Sequence, residues 1–297
     1  MGVSSKQGKD SMKQYTANDY GSRAVKAAHR VLIELTQVLD QYEEHTAIVG
    51  GWVPPLLMPH SRHIGSIDVD LAIDHKAIQG APLGPIRKLL EQSAYYPDGK
   101  RAFIFHRDVE LNDGETPDPV VVQVDFVAAE YGLAGKNRRS QPIQDFRAHK
   151  ARGADLVFNR KLVERVPIIG YLPNGTEFDA QIRVAGPVPF IVMKANALKN
   201  RNKHKDAYDI WFLLKNHPAG LDGLADALIE HANHGLVQEA LDHLAQTFAA
   251  ADGKGPTAVA RFHDDLQPGT EQYEQTRQDA YQRVRFILEK LGWASRA

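Results

Sequence analysis

The 297-residue sequence contains no cysteine. That absence removes disulfide frameworks, thiolate zinc sites and cysteine nucleophiles. Long apolar runs are missing as well, and nothing approaches the length of a membrane span. The opening stretch, MGVSSKQGKDSMKQY, has no apolar core of the kind a secretion signal needs. Its Met-Gly start bears only a faint likeness to a lipidation site, and residues 1–18 read as a disordered leader. A surplus of one charge is also lacking. The formal net charge is -1, so no global field draws the chain onto nucleic acid, and any polyanion site must be a local basic patch. These absences are compatible with a cytoplasmic home. What is there, 43% hydrophobic and 25% charged residues, is ordinary globular composition, and the length allows one large domain or two.

The stretch from Ile48 to Asp74 organises the rest. Apolar Ala47, Ile48 and Val49 predict a short strand that runs into Gly50 and Gly51. Ser66 then leads into a strand with Asp68 and Asp70 at alternate positions. Residues i and i+2 of a strand share a face, so the two carboxylates project together while Ile67, Val69 and Leu71 turn toward a core. Carboxylates side by side repel and raise each other's pKa unless a cation lies between them. A divalent ion that prefers oxygen ligands, Mg²⁺ or Mn²⁺, is the simplest occupant.

Either side of this stretch the pattern alternates between helix and strand. Val25, Ala28, Leu32, Leu35 and Leu39 recur at helical spacing and predict a helix from Tyr20 to Tyr42. Pro54, Pro55 and Pro59 exclude a long helix after the glycines. A helix is expected at 84–93, a strand at 101–105 and a turn at 112–119. Val120 to Val127 is a β-branched run that reads as a central buried strand. Its Asp125 is either a surface carboxylate at a strand end or a third ligand for a cation held by Asp68 and Asp70, because a buried carboxylate needs a partner. Residues 136–152 carry Lys136, Arg138, Arg139, Arg147, Lys150 and Arg152 against Asp145 alone. They form either a solvated loop or a contact surface for phosphate or nucleic acid. Strands are expected at 162–166, 168–172 and 177–179, with a hairpin turn at Pro173-Asn174-Gly175. Near Gly186 the pattern turns helical, which divides the chain into 19–185 and 186–297. The expected helices there are 189–200, 205–216, 221–233, 235–250 and 270–291, with a Gly/Pro loop at 252–256.

A second chemical cluster lies at Lys194 to Asp209. Lys194, Lys199, Arg201, Lys203 and Lys205 precede any acid. Lys194 sits in an apolar helix and is either solvated or reaching toward a triphosphate. Asp206 and Asp209 are either an acidic helix start, which the helix dipole favours, or part of the site. Asp209 is flanked by Tyr208 and Trp211, as expected for a residue near a helix–sheet junction.

Gly50-Gly51-Trp52, Ser66-Ile67-Asp68-Val69-Asp70-Leu71 and Val124-Asp125-Phe126 together resemble the signature of the nucleotidyltransferase superfamily whose best-known member is DNA polymerase beta. Lys194 and the run Lys205-Asp206-Ala207-Tyr208-Asp209-Ile210 resemble motifs of the AbiEii (MenT-like) toxins, nucleotidyltransferases of bacterial toxin–antitoxin systems. The resemblance covers roughly residues 25–215 and does not reach the helices beyond about 217. It implies an α+β protein: an N-terminal nucleotidyltransferase fold, a mixed sheet flanked by helices, followed by an all-helical C-terminal domain. It implies transfer of a nucleotide from a nucleoside triphosphate to an RNA acceptor, with the tRNA 3′ end as target and an antitoxin protein as partner. In that reading Asp68 and Asp70 bridge metal ions, and Asp125 holds the catalytic metal and serves as, or orients, the base. Gly50 and Gly51 let the backbone approach the phosphates. Ser66 donates to the β- or γ-phosphate and Lys194 neutralises the triphosphate. Asp209, with Asp206 as partner, positions Lys194 or the acceptor, and Arg62 and His63 are phosphate neighbours. The same GGW and DVDLAID segments also resemble aminoglycoside and lincosamide nucleotidyltransferases, whose acceptors favour acidic pockets; the lysine-rich run argues against them. A non-catalytic nucleotide- or antitoxin-binding module is opposed by the three aspartates. Asp-x-Asp strands also occur in glycosyltransferases.

Overall fold

The structure, a computed structural model, describes residues 16–78, 85–111, 113–130, 140–201 and 203–294. Most of the expected leader lies outside these residues, but its last three do not fit a disordered segment. Thr16 caps a 3-10 turn at Ala17–Asp19, its backbone N–H donating to the Asp19 carboxylate at 2.9 Å.

Helix α1 (Ser22–Val38) follows and buries Ala27, Ala28, Val31, Leu32 and Leu35. It stops short of Tyr42, because a 3-10 segment at Asp40–His45 takes over and buries that ring. Then come β1 (Thr46–Val49), a 3-10 turn at Gly50–Trp52, α2 (Val53–Leu57) and β2 (Asp68–Ile73). Pro54 and Pro55 sit in the first turn of α2, where a missing N–H breaks no helical bond. Next are α3 (His75–Ile78), α4 (Ile86–Gln92), β3 (Tyr96–Pro97), β4 (Ile104–Val109) and β5 (Val120–Ala129). The strand expected at 101–105 begins later, because the Asp98 carboxylate binds the N–H groups of Lys100 and Arg101 at 2.9 and 2.7 Å and holds them in a turn. β6 (Ser140–Ile143) and β7 (Phe146–Ala151) form a hairpin where a loop had been one reading of the basic run. Lys136, Arg138 and Arg139 lie outside the described residues. The strands expected at 162–166 and 168–172 are one strand, β8 (Val163–Tyr171), and β9 runs from Glu177 to Ala185. Pro167 does not interrupt β8 because this is the edge of the sheet, where one side needs no donor.

The main path of the sheet is β3-β4-β5-β2-β1-β9-β8, with β7 joined to the far end of β5 and β6 to β7. The β2–β5, β1–β9 and β5–β7 pairs are parallel and the others antiparallel. One face, carrying Val69, Val122, Val124 and Phe126, is fully buried, and α1 packs across β2, β5, β8 and β9. The alternate residues of β2 and β5 are the carboxylates.

Gly186 caps α5 (Pro187–Asn200), and the rest is helical: α6 (His204–Asn216), α7 (Gly220–Glu230), α8 (Gly235–Thr247), α9 (Lys254–Phe262) and α10 (Glu271–Lys290). The loop expected at 252–256 holds for Asp252 and Gly253 and ends there, because α9 begins at Lys254. Pro256 is tolerated in its first turn, and Gly255 lies against the Phe248 ring, where a Cβ would come within 2.6 Å. The fold is therefore α+β, a mixed sheet followed by helices. One hydrophobic core runs through both parts.

Candidate active site

β2 and β5 lie side by side and in parallel, with Asp68 opposite Gln123 and Asp70 opposite Asp125. The strand alternation that buries Val69 and Val124 turns all three aspartates to the other face. Burial, then the Asp68 charge, raises Asp70 to about 6. Burial, then the Asp70 charge, raises Asp125 to about 7. Asp68 goes the other way. Burial opposes its ionisation, but Lys203 and the Ser66 hydroxyl outweigh it and hold the carboxyl below its ordinary value. Ser66 Oγ donates to Asp68 Oδ1 at 2.5 Å, and Gln123 Nε2 donates to Asp125 Oδ2 at 2.6 Å.

The glycine turn fits under these groups because it has no side chains. Gly50 adopts φ 71°, and a Cβ on it would lie 1.9 Å from Asp70 Oδ2. A Cβ on Gly51 would lie 2.6 Å from Ser66 Oγ and 3.0 Å from Lys205 Nζ. Trp52 anchors the turn, its indole N–H donating to the Asp68 carbonyl at 2.9 Å.

Above the turn, α5 and α6 bring buried charges together. Lys194 Nζ contacts Asp206 at 2.9 Å and Asp209 at 2.8 Å. Lys205 Nζ donates to Asp209 at 2.8 Å, and His63 Nε2 lies 3.0 Å from the same carboxylate. Arg201 donates to both oxygens of Asp206, at 2.7 and 2.8 Å. Burial would discharge Lys194, but Asp206 and Asp209 overcome it and raise its pKa. Lys194, Arg201 and their neighbours hold Asp206 down to about 2 against burial, and Asp209 lies lower still than an ordinary carboxyl. Burial lowers His63 to about 4, so the imidazole is neutral at pH 7. Lys205 is lowered by burial too, although Asp209 opposes the shift.

These contacts correct several readings. Lys194 is not a solvated lysine, being 7% exposed. Asp206 stands in the first turn of α6 but points at Lys194 and Arg201 rather than serving only the helix start. In the basic run at 194–205, Lys194 and Lys205 are buried and paired with Asp206 and Asp209, while the exposed Arg201 pairs with Asp206 and Lys199 donates to Gln246. In the earlier run, Arg147 is bound to Ser140 and Arg152 to Glu239. His63 joins the cluster through Asp209, whereas Arg62 is exposed on the same loop with φ 48°. The sequence places Arg201 and Lys205 in the basic run, and Lys205 in the family motif, without a role of their own, and it does not single out Gln123. Lys205 had a usable signal, since it stands four residues before Asp209 on one helix face.

A cleft of about 280 Å³ opens beside Gly50, Asp70, Lys194 and Arg201 and continues past Phe190 and Met193. Three carboxylates on one face, two of them reluctant to ionise, suit a hard divalent cation. Among the described residues no three such side chains close on a common point, and Ser66 and Gln123 hydrogen-bond Asp68 and Asp125.

Comparison with protein families decides the identity. The family described as nucleotidyl transferase AbiEii toxin, type IV toxin–antitoxin system, matches residues 65–283. The chain belongs to this family. It is a nucleotidyltransferase and a toxin of the type IV class, and the AbiEii family implies a nucleoside triphosphate substrate and a cognate antitoxin. The AbiEii match covers Asp68, Asp70, Asp125 and the α5–α6 cluster, and it begins after Gly50 and Gly51. No curated protein matches the chain. Among the described residues no helix is long and apolar enough to cross a membrane.

Proposed function

We propose that this AbiEii chain transfers a nucleoside monophosphate from a nucleoside triphosphate to the 3′ end of an RNA, with tRNA as acceptor, in the cytoplasm and under control of an antitoxin protein. Residues 19–185 form the nucleotidyltransferase domain and residues 186–297 a helical domain that completes the site. The observation that carries this is the meeting of Asp68, Asp70 and Asp125 with the Lys194–Asp209 cluster over the Gly50-Gly51 turn.

The triphosphate lies between that turn and α5–α6. Gly50 and Gly51 let the backbone approach it, Lys194 lines the cleft as a fixed positive charge, and Ser66 donates to it on releasing Asp68. Asp209 and Asp206 hold Lys194 in place; they are positioning residues. Asp68, Asp70 and Asp125 would hold Mg²⁺ or Mn²⁺, which activates the attacking hydroxyl and offsets charge on the phosphates. The acceptor hydroxyl oxygen bonds to the α-phosphorus as the bond to the β-phosphate oxygen breaks, and pyrophosphate leaves. Asp125, on the same strand face as Asp70, would take the hydroxyl proton or orient the group that does. The test is incubation of the pure protein with Mg²⁺, tRNA and α-labelled nucleoside triphosphates. The wild type labels the RNA and Asp70→Ala does not. Equal labelling by both, or transfer only to non-RNA acceptors, would overturn the proposal.

A further inference from the structure

The face that carries the aspartates does not end with them. Its residues continue outward in register across β5, β4 and β3. Asp68 stands opposite Gln123, Gln123 opposite His106, and His106 opposite Tyr96. Directly opposed residues share a face, so Asp68, Gln123, His106 and Tyr96 form one row across four strands. The inner end of this row is the active site. The outer end is open: Tyr96 is 42% exposed, and Val121, next along the same face of β5, is 55% exposed.

The row has the parts of a platform for a single-stranded polynucleotide. Tyr96 and His106 lie ring beside ring, with centroids 5.6 Å apart. Each is fixed by a carboxylate at its polar edge. Tyr96 Oη donates to Asp108 at 2.8 Å, and His106 Nε2 lies 3.1 Å from Asp98. The rings are therefore held in place before any ligand arrives. Arg101 stands between the rings and the aspartates. Its half-exposed guanidinium pairs with Asp98 at 3.3 Å, reaches Gln123 Oε1 at 3.5 Å, and its charge is felt at Asp125, so a phosphate would have to compete with Asp98 for it. Gln123 in turn donates to Asp125. A small drug acceptor would use none of the outer features. A polynucleotide whose terminal hydroxyl sits at Asp125 places its next phosphate and base outward along this row.

We infer that the β3–β4–β5 face is the acceptor-strand site: the single-stranded 3′ end of the RNA lies across it, with a base stacked on Tyr96 and His106 and a backbone phosphate on Arg101. Stacking on an exposed ring tolerates any base, so this site selects an unpaired end rather than a sequence. Arg101, the cation on this side of Asp125, supplies the charge contact. The inference rests on the proposed RNA acceptor.

The test uses the full chain, Mg²⁺, one nucleoside triphosphate and an RNA hairpin with an unpaired 3′ tail, with KM measured for each substrate. Tyr96→Ala raises the acceptor KM roughly tenfold and leaves the triphosphate KM in place, while Tyr96→Trp restores it, since an indole also stacks. Arg101→Ala raises the acceptor KM and lowers the salt slope of RNA binding by about one. A blunt hairpin without the tail reproduces the Tyr96→Ala value on the wild type. Should the wild type label RNA while both alanine variants keep its acceptor KM, or shift the triphosphate KM instead, this site is wrong and the proposed reaction stands. Should the wild type label no RNA, both fall.

Discussion

Asp70 and Asp125 hold protons that an unfolded chain would release, and this has a definite sign. Their ordinary values lie near 4, and in the folded protein they stand at about 6 and about 7. A raised carboxyl stabilises the fold most below its unfolded value, and stability falls as pH rises through the folded one. Asp206, at about 2, works the opposite way: its contribution is present above pH 4 and is lost as pH falls toward 2. Without divalent metal the Asp70 and Asp125 carboxyls therefore contribute less stability toward neutrality, while His63, held neutral by burial at about 4, contributes less as pH falls below its ordinary value. Mg²⁺ between the carboxylates removes the neutral-side loss. Thermal unfolding from pH 4 to 8, with EDTA and with Mg²⁺, should show a Mg²⁺ gain that grows with pH; a gain independent of pH contradicts this. Asp68, Asp70 and Asp125 were legible in the sequence because strand alternation is a local rule. Arg201 was not, because its role exists only through Asp206 on the next helix. The acids that pair with the 194–205 run follow it in sequence, so the charge count of the run alone does not show that Lys194 and Lys205 are neutralised.

At the scale of elements, the β1–turn–α2 unit brings backbone up to Asp70. Gly50 is required twice, by its φ of 71° and by the 1.9 Å to which a Cβ would approach Asp70 Oδ2. Gly50→Ala should cost about 1–2 kcal/mol from the left-handed backbone alone. Displacement of Asp70 should abolish nucleotide transfer in the folded variant. Calorimetry and the labelling assay measure both, and an active Gly50→Ala enzyme would refute the close packing. Element types were mostly legible, and the errors have local causes. The Asp98 turn delays β4, an edge position lets Pro167 pass, and the first turn of α9 accepts Pro256. Each depends on where in the fold a proline or aspartate falls, which composition does not reveal.

For the whole molecule, the proposed catalysis draws on two parts distant in sequence. The sheet supplies the carboxylates and the glycine turn, and α5 and α6 close over them with Lys194 and Lys205. The Gly51 cradle already includes Lys205 Nζ, 3.0 Å from where a Cβ would stand. The sequence carried the order of the two clusters, and the family resemblance joined them. What it did not carry was the outward row from Gln123 to Tyr96, because the partners are set by strand register across four strands. The central claim is that this assembly transfers the nucleotide portion of its substrate and not the terminal phosphate. Parallel reactions with α-labelled and γ-labelled nucleoside triphosphate on the same RNA test it most directly. The account predicts label in the RNA from the α position alone, with the γ label recovered as pyrophosphate; γ label in the RNA would contradict it.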